Sequence, residues 1–242
     1  MAARSDATDS GKKVPADAAP TRGGAQIVPR PPGARPGPPA PWAGLDEPAR
    51  VVDLARVRRA LATTPLRPSL VERSGGRAAA VLVPLWEEGG TAWVLLTRRA
   101  AHLRTHKGEV SFPGGGQDPG ESLTDTALRE AWEEVALNPA TVELVGELDH
   151  VSTATSAAYI VPYVGFLPGR PAGLVASPGE VGEILLVPLT ELLLDEVFRE
   201  ELWAFEDSSS RSMHFFELVG DTVWGATARI LHQFLALVLE TP

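Results

Sequence analysis

The densest chemical information in this 242-residue chain lies between positions 115 and 137. Gly115-Gly116-Gln117-Asp118-Pro119-Gly120-Glu121 is followed by Arg129-Glu130-Ala131-Trp132-Glu133-Glu134-Val135-Ala136-Leu137, a spacing of G-x5-E-x7-R-E-x-x-E-E. A helix turns by about 100° per residue, so Glu130, Glu133 and Glu134 share an arc of roughly 100°. Carboxylates held that close repel one another, and a hard, oxygen-seeking cation such as Mg²⁺ or Mn²⁺ relieves the repulsion. The adjoining glycine run, Gly114 to Gly116, lets backbone N–H groups approach a phosphate chain closely. A cation site beside an anion cradle suits chemistry on a diphosphate. For Arg-Glu-x-x-Glu-Glu alone, a solvated acidic helix face is an equally good reading; the full spacing favours a site.

The helix that carries these carboxylates should open at Ser122, with Asp125 three residues on as a variant of the capping pattern. Ala127, Leu128, Ala131, Trp132 and Val135 fall away from the acidic arc and are expected to pack into a core. Before it, apolar runs at 77–86 and 91–97 joined by Glu87-Glu88-Gly89-Gly90 read as a β-hairpin. After it, 141–148 and 158–167 read as strands and 169–179 as a loop rich in proline and glycine. A short strand at 183–188, a helical turn at 190–194 and a strand pair at 202–206 and 213–219 follow. A last helix at 225–239 should turn Ile230, Leu231, Phe234, Leu235 and Val238 inward. Strands on both sides of an amphipathic helix indicate the α/β class, a sandwich with a mixed sheet.

Between the hairpin and the glycines, Arg98, Arg99, Arg104, His106 and Lys107 place four fixed cations and one imidazole within ten residues. Arginine offers bidentate contacts to phosphate, so the segment can hold anions. An ordinary charged connector between strands is the alternative.

The 115–137 segment resembles the Nudix box, G-x5-E-x7-R-E-U-x-E-E-x-G-U with U a bulky apolar residue. Gly115, Glu121, Arg129, Glu130, Glu133, Glu134 and Leu137 match. Ala131 is small for its position, and Ala136 stands where the family has glycine. That glycine closes the helix in a left-handed conformation, which strains alanine by about 1–2 kcal/mol; Asn138, before Pro139, is expected to take over the termination. The stretch from Leu95 to Gly115 is similar to L-L-T-x-R-S-x-x-L-R-x-H-x-G-x-V-x-F-P-G-G, the mark of the coenzyme A diphosphatase branch, with Ala100 where serine is usual. The resemblance covers roughly 77–240 and implies an α/β/α sandwich with a mixed sheet and a metal-dependent diphosphate hydrolase.

On this reading Glu130 and Glu134 are cation ligands, with Glu133 a ligand directly or through water. The resemblance implies that Glu121 and Arg129 support the site. Gly114 and Gly115, with Arg98, Arg99, Arg104 and His106, would contact substrate. The general base is open among a box glutamate, Glu180 and Glu183. Mg²⁺ or Mn²⁺ is the expected cofactor. The expected substrate is coenzyme A or an acyl derivative, cleaved to 3′,5′-ADP and 4′-phosphopantetheine. Two alternatives stay open: a diphosphatase for another nucleoside diphosphate derivative such as ADP-ribose, and a non-catalytic nucleotide-binding sensor.

Composition sets the outer bounds. A net charge of −9 argues against a nucleic-acid surface, and the absence of cysteine excludes thiolate chemistry and disulfides. The apolar run at 230–239 is too short to span a bilayer, so the expected setting is cytoplasmic and the expected partner a small molecule, without nucleic acid or membrane. A homodimer is compatible with the sequence, which does not decide it. Ten prolines fall in the first fifty residues, with seven Lys/Arg against five Asp/Glu. Residues 1–44 are therefore expected as a disordered, proline-rich tail, and 45–242 as the domain. Asp46 should cap a helix with Pro48 in its first turn, continuing through Val51, Leu54, Val57 and Leu61.

Overall fold

A computed structural model describes residues 21–63, 77–152, 158–205 and 209–240. The elements are β1 (Gly23–Gly24), β2 (Arg35–Pro36), α1 (Leu54–Thr63), β3 (Arg77–Glu88), β4 (Thr91–Arg99), β5 (Val110–Ser111), β6 (Gly114–Gly116) and α2 (Leu123–Val135). They continue with β7 (Glu143–Glu147), β8 (Val151–Ser152), β9 (Ala158–Phe166), β10 (Val181–Pro188), α3 (Leu189–Leu192), β11 (Phe198–Ala204), β12 (Ser210–Val223) and α4 (Gly225–Glu240).

The larger sheet runs β10-β4-β3-β9-β7, with β5 on β4, β6 on β3 and β8 on β9. Only β3 and β9 pair in parallel, so the sheet is mixed, as expected. β3 changes partners along its length. Leu85 to Glu88 pair with β4 across the Gly89-Gly90 turn, while Ala79, Ala80 and Val81 pair with the glycines of β6. The period-two alternation of β3 and β4 supplies both cores. Ala80, Leu82, Trp86 and Leu95 face α2, where Ala127, Ala131 and Val135 meet them. Val83, Leu85, Val94 and Leu96 face the other way, toward Val57 of α1 and Ile230, Leu231, Phe234, Leu235 and Val238 of α4. Each large side chain buried this fully contributes about 1.5–3 kcal/mol, and the inward stripe of α4 matches its sequence pattern. Helices on both faces of a mixed sheet make the α/β/α sandwich. No helix among the described residues is long and apolar enough to cross a membrane.

The smaller sheet, β1-β12-β11-β2, brings a correction. Residues 21–44 were expected as part of a free tail, yet they lie against the domain. β1 pairs with Val219 and Gly220, and β2 pairs with Glu201 and Leu202. Gln26 donates from Nε2 to Asp221 Oδ1 at 2.8 Å and accepts the Thr222 N–H at 2.9 Å. Arg22 pairs with Glu191 at 2.5 Å, and Trp42 is wholly buried between Phe198 and Phe216. Proline content describes an extended chain correctly. It does not reveal that an extended chain can lie along a sheet edge and bury its one tryptophan. Residues 1–20 lie outside the described residues.

The helix expected from Asp46 is also divided. Asp46 accepts the Ala49 N–H, but only a 3-10 turn forms over Pro48–Arg50. Asp53 then caps α1 by accepting the Arg56 N–H at 2.6 Å, and Val51 between the two pieces is exposed. The strand pair near the C-terminus is longer than its apolar runs suggest, because β11 and β12 extend through Arg, Glu and His positions that face one another. Glu200 sits directly opposite His214, and His232 of α4 stacks on the His214 ring with centroids 3.9 Å apart. Burial, then the neighbouring His232 and Arg229, pushes His214 down to about 3.

Candidate active site

The box helix begins as its sequence indicates. Ser122 is extended and accepts the Asp125 N–H at 3.1 Å. Its C-terminus differs from expectation. Ala136 itself takes the left-handed conformation, φ 56° and ψ 29°, and its N–H reaches back to carbonyls of the last turn. Asn138 does not terminate α2; it accepts the Ala140 N–H and opens the next 3-10 turn.

The roll of α2 on the sheet divides the three box glutamates. Glu134 falls on the same side as Ala127 and Ala131 and is buried at 3% exposure. It accepts the Gly114 N–H at 3.3 Å. Glu130 flanks it, half-buried, while Glu133 is exposed and pairs with Arg129 Nη1 at 3.0 Å. Trp132, expected in the core, is 52% exposed. The acidic arc therefore does not oppose the apolar face; it overlaps it, because α2 is seated by its small residues, Ala127 and Ala131.

The seat also depends on the glycines. A Cβ on Gly115 would come within 2.5 Å of the Glu130 carboxylate, and one on Gly114 within 2.4 Å of the Ala80 carbonyl. The stretch is not a free loop but strand β6, whose backbone is shared among β3, Glu134 and Arg129.

Arg129 is the hub. Its Nε and Nη2 contact the two oxygens of Glu121 at 2.8 and 3.2 Å, and its Nη1 reaches Glu130 at 3.0 Å. Glu121 also accepts the Thr126 hydroxyl at 2.7 Å and the Asp118 N–H at 3.2 Å. The guanidinium, first, and then the Thr126 hydroxyl hold its carboxyl down to about 2. Arg129 is raised in turn, chiefly by Glu121. Glu121 and Arg129 are thus a fixed ionic brace that orients Glu130.

A third carboxylate arrives from a distant loop. The Val175 and Ser177 N–H groups donate to carbonyls of Val135 and Glu134 at the end of α2, and the Glu180 carbonyl accepts the Ala100 N–H at 2.8 Å. Pinned at both ends, the loop places a Glu180 oxygen among those of Glu130 and Glu134, all within 4.8 Å of one another. Desolvation, countered by the Gly114 N–H and reinforced by Glu130 and Glu180, pushes Glu134 up to about 8. Glu130 is raised as well, first by burial. Three oxygen donors with no nitrogen or sulfur among them, one buried and pushed toward protonation by desolvation first and by its carboxylate neighbours next, fit a hard divalent cation. The trio is Glu130, Glu134 and Glu180; Glu133, expected as a ligand, stands apart from it.

The basic segment separates likewise. Arg98 is occupied within the fold: Nε and Nη2 clasp Asp221 at 2.6 and 2.5 Å, and Nη1 pairs with Glu183 at 2.5 Å. That contact takes Glu183 away from the trio. His106 lies exposed on the 100–109 loop with Nδ1 2.9 Å from Glu109. Arg104 and Lys107 are exposed on the same loop. Arg99, on the opposite side of β4 from Arg98, has a buried Nε without a hydrogen-bond partner among the described residues and lies close enough to lower the Glu134 carboxyl. Sequence reasoning gave Arg98 and Arg99 equal standing. Strand alternation could have separated them, but the partner that claims Arg98, Asp221, carries no signal in its own neighbourhood.

A NUDIX domain model matches residues 76–207. Nudix hydrolase 3 of Caenorhabditis elegans is 36% identical over 186 residues, 71% of this chain and 78% of the relative. The uncharacterized Nudix hydrolase NudL of Photorhabdus laumondii subsp. laumondii is 40% identical over 163 residues, 65% of this chain and 82% of that protein. Among solved structures, a MutT/nudix family protein from Enterococcus faecalis aligns with 78% of this chain and 75% of its own at 18% identity and a TM-score of 0.47.

Proposed function

The chain belongs to the NUDIX domain family, and from that premise we propose that it hydrolyses the P–O–P linkage of coenzyme A or an acyl derivative, releasing 3′,5′-ADP and 4′-phosphopantetheine. The observation that carries the diphosphatase reading is the convergence of Glu130, Glu134 and Glu180 beside β6. A divalent cation there, Mg²⁺ or Mn²⁺, would neutralise the diphosphate and lower the pKa of an attacking water.

The protein's own groups do the rest. Arg129, braced by Glu121, holds the Glu130 carboxylate in place. Gly115 leaves room for that carboxylate against the strand backbone. Arg99 supplies a cation to a phosphate oxygen. Glu180, the exposed member of the trio, is the base of this proposal: it would take the proton of the attacking water rather than serve as a tight ligand. Glu183 is set aside as the base because Arg98 holds it.

The coenzyme A assignment rests on the Leu95 to Gly115 signature and on the exposed Arg104 and Lys107, which lie on the loop joining β4 to β5. These are proposed to read the 3′-phosphate, each charge-assisted contact contributing about 1.5–3 kcal/mol. Mass spectrometry of products from coenzyme A, acetyl-coenzyme A, dephospho-coenzyme A and ADP-ribose tests it. Dephospho-coenzyme A is expected to have kcat/KM lower by about tenfold or more, and ADP-ribose to be poorer still. Equal turnover of ADP-ribose and coenzyme A would point to a general diphosphatase. Binding of all four without turnover would point to a sensor.

A further inference from the structure

The loop that carries Arg104, His106 and Lys107 is closed by weak local bonds. The Leu103 N–H reaches the Ala100 carbonyl and the Glu109 N–H the His106 carbonyl, each at 3.3 Å. His106 takes the left-handed conformation, φ 55°, which a residue other than glycine keeps only when its surroundings hold it there. The base of the loop is paired with the end of β4. The Gly108 N–H donates to the Arg99 carbonyl at 3.1 Å, and the Arg99 N–H donates to the Glu109 carbonyl at 2.9 Å. A shift of Gly108 therefore moves the Arg99 backbone as well as the loop.

Support for Gly108 comes from a side chain 82 residues earlier. Gln26 donates from Nε2 to the Gly108 carbonyl at 3.0 Å and to Asp221 Oδ1 at 2.8 Å, while its Oε1 accepts the Thr222 N–H at 2.9 Å. Two acceptors on the nitrogen side and a donor on the oxygen side admit one orientation of the amide. Asp221 is also clasped by Arg98, the neighbour of Arg99 on β4. One half-buried amide thus joins the N-terminal segment, β12 and the loop. Apolar packing does not anchor the segment at this point, since Ile27 is 90% exposed and β1 is two residues long. Gln26 and Asp221 both lie outside 76–207, so the brace is built from parts of the chain beyond the matched domain.

We propose that Gln26 is a positioning residue for substrate: it fixes Gly108, and through it the Arg99 backbone and the loop bearing Arg104 and Lys107, in the conformation that meets the substrate's phosphates. The proposal rests on the reading that this loop contacts substrate. Gln26 touches no reacting atom, and its loss leaves the carboxylate trio and the Arg129–Glu121 brace in place. It should therefore act on binding and not on the chemical step. One net hydrogen bond to Gly108 shifts the population of the ordered loop by about fivefold.

The test uses the full chain with Mg²⁺. Gln26→Leu removes all three bonds, and Gln26→Glu keeps the acceptor for Thr222 but loses both donations. In both variants, KM for whichever diphosphate the protein cleaves should rise about fivefold or more, with kcat within about twofold of wild type. Amide exchange at Gly108 and Glu109, followed by NMR without substrate, should quicken while β3 and β9 keep their protection. A Gln26 that merely fastens the segment to β12 would quicken exchange at Gly24 and in β12 and leave the loop and KM as in wild type. That result would overturn the proposal, as would a fall in kcat at unchanged KM. Wild type alone gives a further readout. In low denaturant the Gly24 amide, bonded to Thr222 Oγ1 at 3.0 Å, should open together with that of Gly108, and independent opening would also overturn it. Cleavage of ADP-ribose in preference to coenzyme A would overturn the coenzyme A assignment alone, because neither readout here depends on which diphosphate is cleaved.

Discussion

Glu134→Gln keeps the side-chain shape, and the amide oxygen can still accept the Gly114 N–H, so the substitution isolates the charge. In the cation-free protein the Glu134 carboxyl titrates at about 8, against 4.5 when unperturbed, because burial first and the Glu130 and Glu180 charges next disfavour its ionised form. A group raised in the folded state contributes stability that is complete below pH 4.5 and is lost as pH rises through 8. At about 1.4 kcal/mol per pH unit, that interval amounts to roughly 4–5 kcal/mol. For a domain of this size it is about 8–20 °C in Tm. Thermal melts of wild type and Glu134→Gln, in chelator and across pH 5 to 9, should therefore agree at the acid end and diverge at the alkaline end, with the variant more stable. Saturating Mg²⁺ or Mn²⁺ should reverse the order at high pH, because the ion stabilises only the chain that offers it the carboxylate. In the same metal, kcat of the variant should fall by about 10²-fold or more. Parallel pH profiles for the two proteins in chelator, or wild-type turnover by the variant in saturating metal, would refute the reasoning.

Three further outcomes follow from the structure. Ala136→Gly should raise stability by about 0.5–1 kcal/mol in a denaturant titration, since it relieves about 1–2 kcal/mol of left-handed strain but adds freedom to the unfolded chain; an unchanged midpoint would show that Ala136 is not strained. Removing residues 1–20 should leave Tm nearly unchanged, whereas removing 1–44 also deletes buried Trp42 and should cost about 3 kcal/mol or more; equal melts for the two truncations would contradict the packed segment. Arg98→Gln should destabilise by about 3 kcal/mol by leaving Asp221 buried without its cation, while Arg99→Gln should lower kcat/KM with little change in Tm; the opposite pattern would exchange the two roles.

The parts of this site that a linear motif can encode were legible. Ser122 and Asp125 fixed the start of the box helix, period-two runs located β3 and β4, and the spacing of Gly115, Glu121, Arg129, Glu130 and Glu134 marked residues that do converge. What failed depended on how elements meet. Spacing places Glu130, Glu133 and Glu134 on one arc, but only the seating of Ala127 and Ala131 on the sheet decides that Glu134 turns inward and Glu133 outward. Glu180 could be named only as a candidate, because the bonds that pin its loop are made by backbone groups of Val175, Ser177 and Ala100, whose side chains play no part in them. The engagement of Arg98 within the fold was hidden for a related reason. Its ion-pair partners Glu183 and Asp221 lie 85 and 123 residues away in the chain. Composition was least reliable for 21–44, where proline predicts extension and is silent on docking.

One physical choice underlies both the strength and the weakness of this architecture. A carboxylate at the edge of the acidic arc would stay ionised at little cost and bind a cation weakly, since water would compete for it. Glu134 instead occupies a core-facing position, against Ala127, Ala131 and the β6 backbone, where solvent is excluded and an ion would be its best partner. The same burial raises the pKa of the cation-free carboxyl and stores instability in the helix that carries it. The Arg129–Glu121 brace cannot relieve that strain. It pairs with Glu130 and Glu133, and among the described residues Glu134 receives one backbone N–H and the charge of Arg99. Occupancy of the site and stability of the box helix are therefore coupled chiefly through Glu134, with Glu130 beside it, so conditions that strip the cation should loosen α2 before they disturb the β3–β9 centre of the sheet.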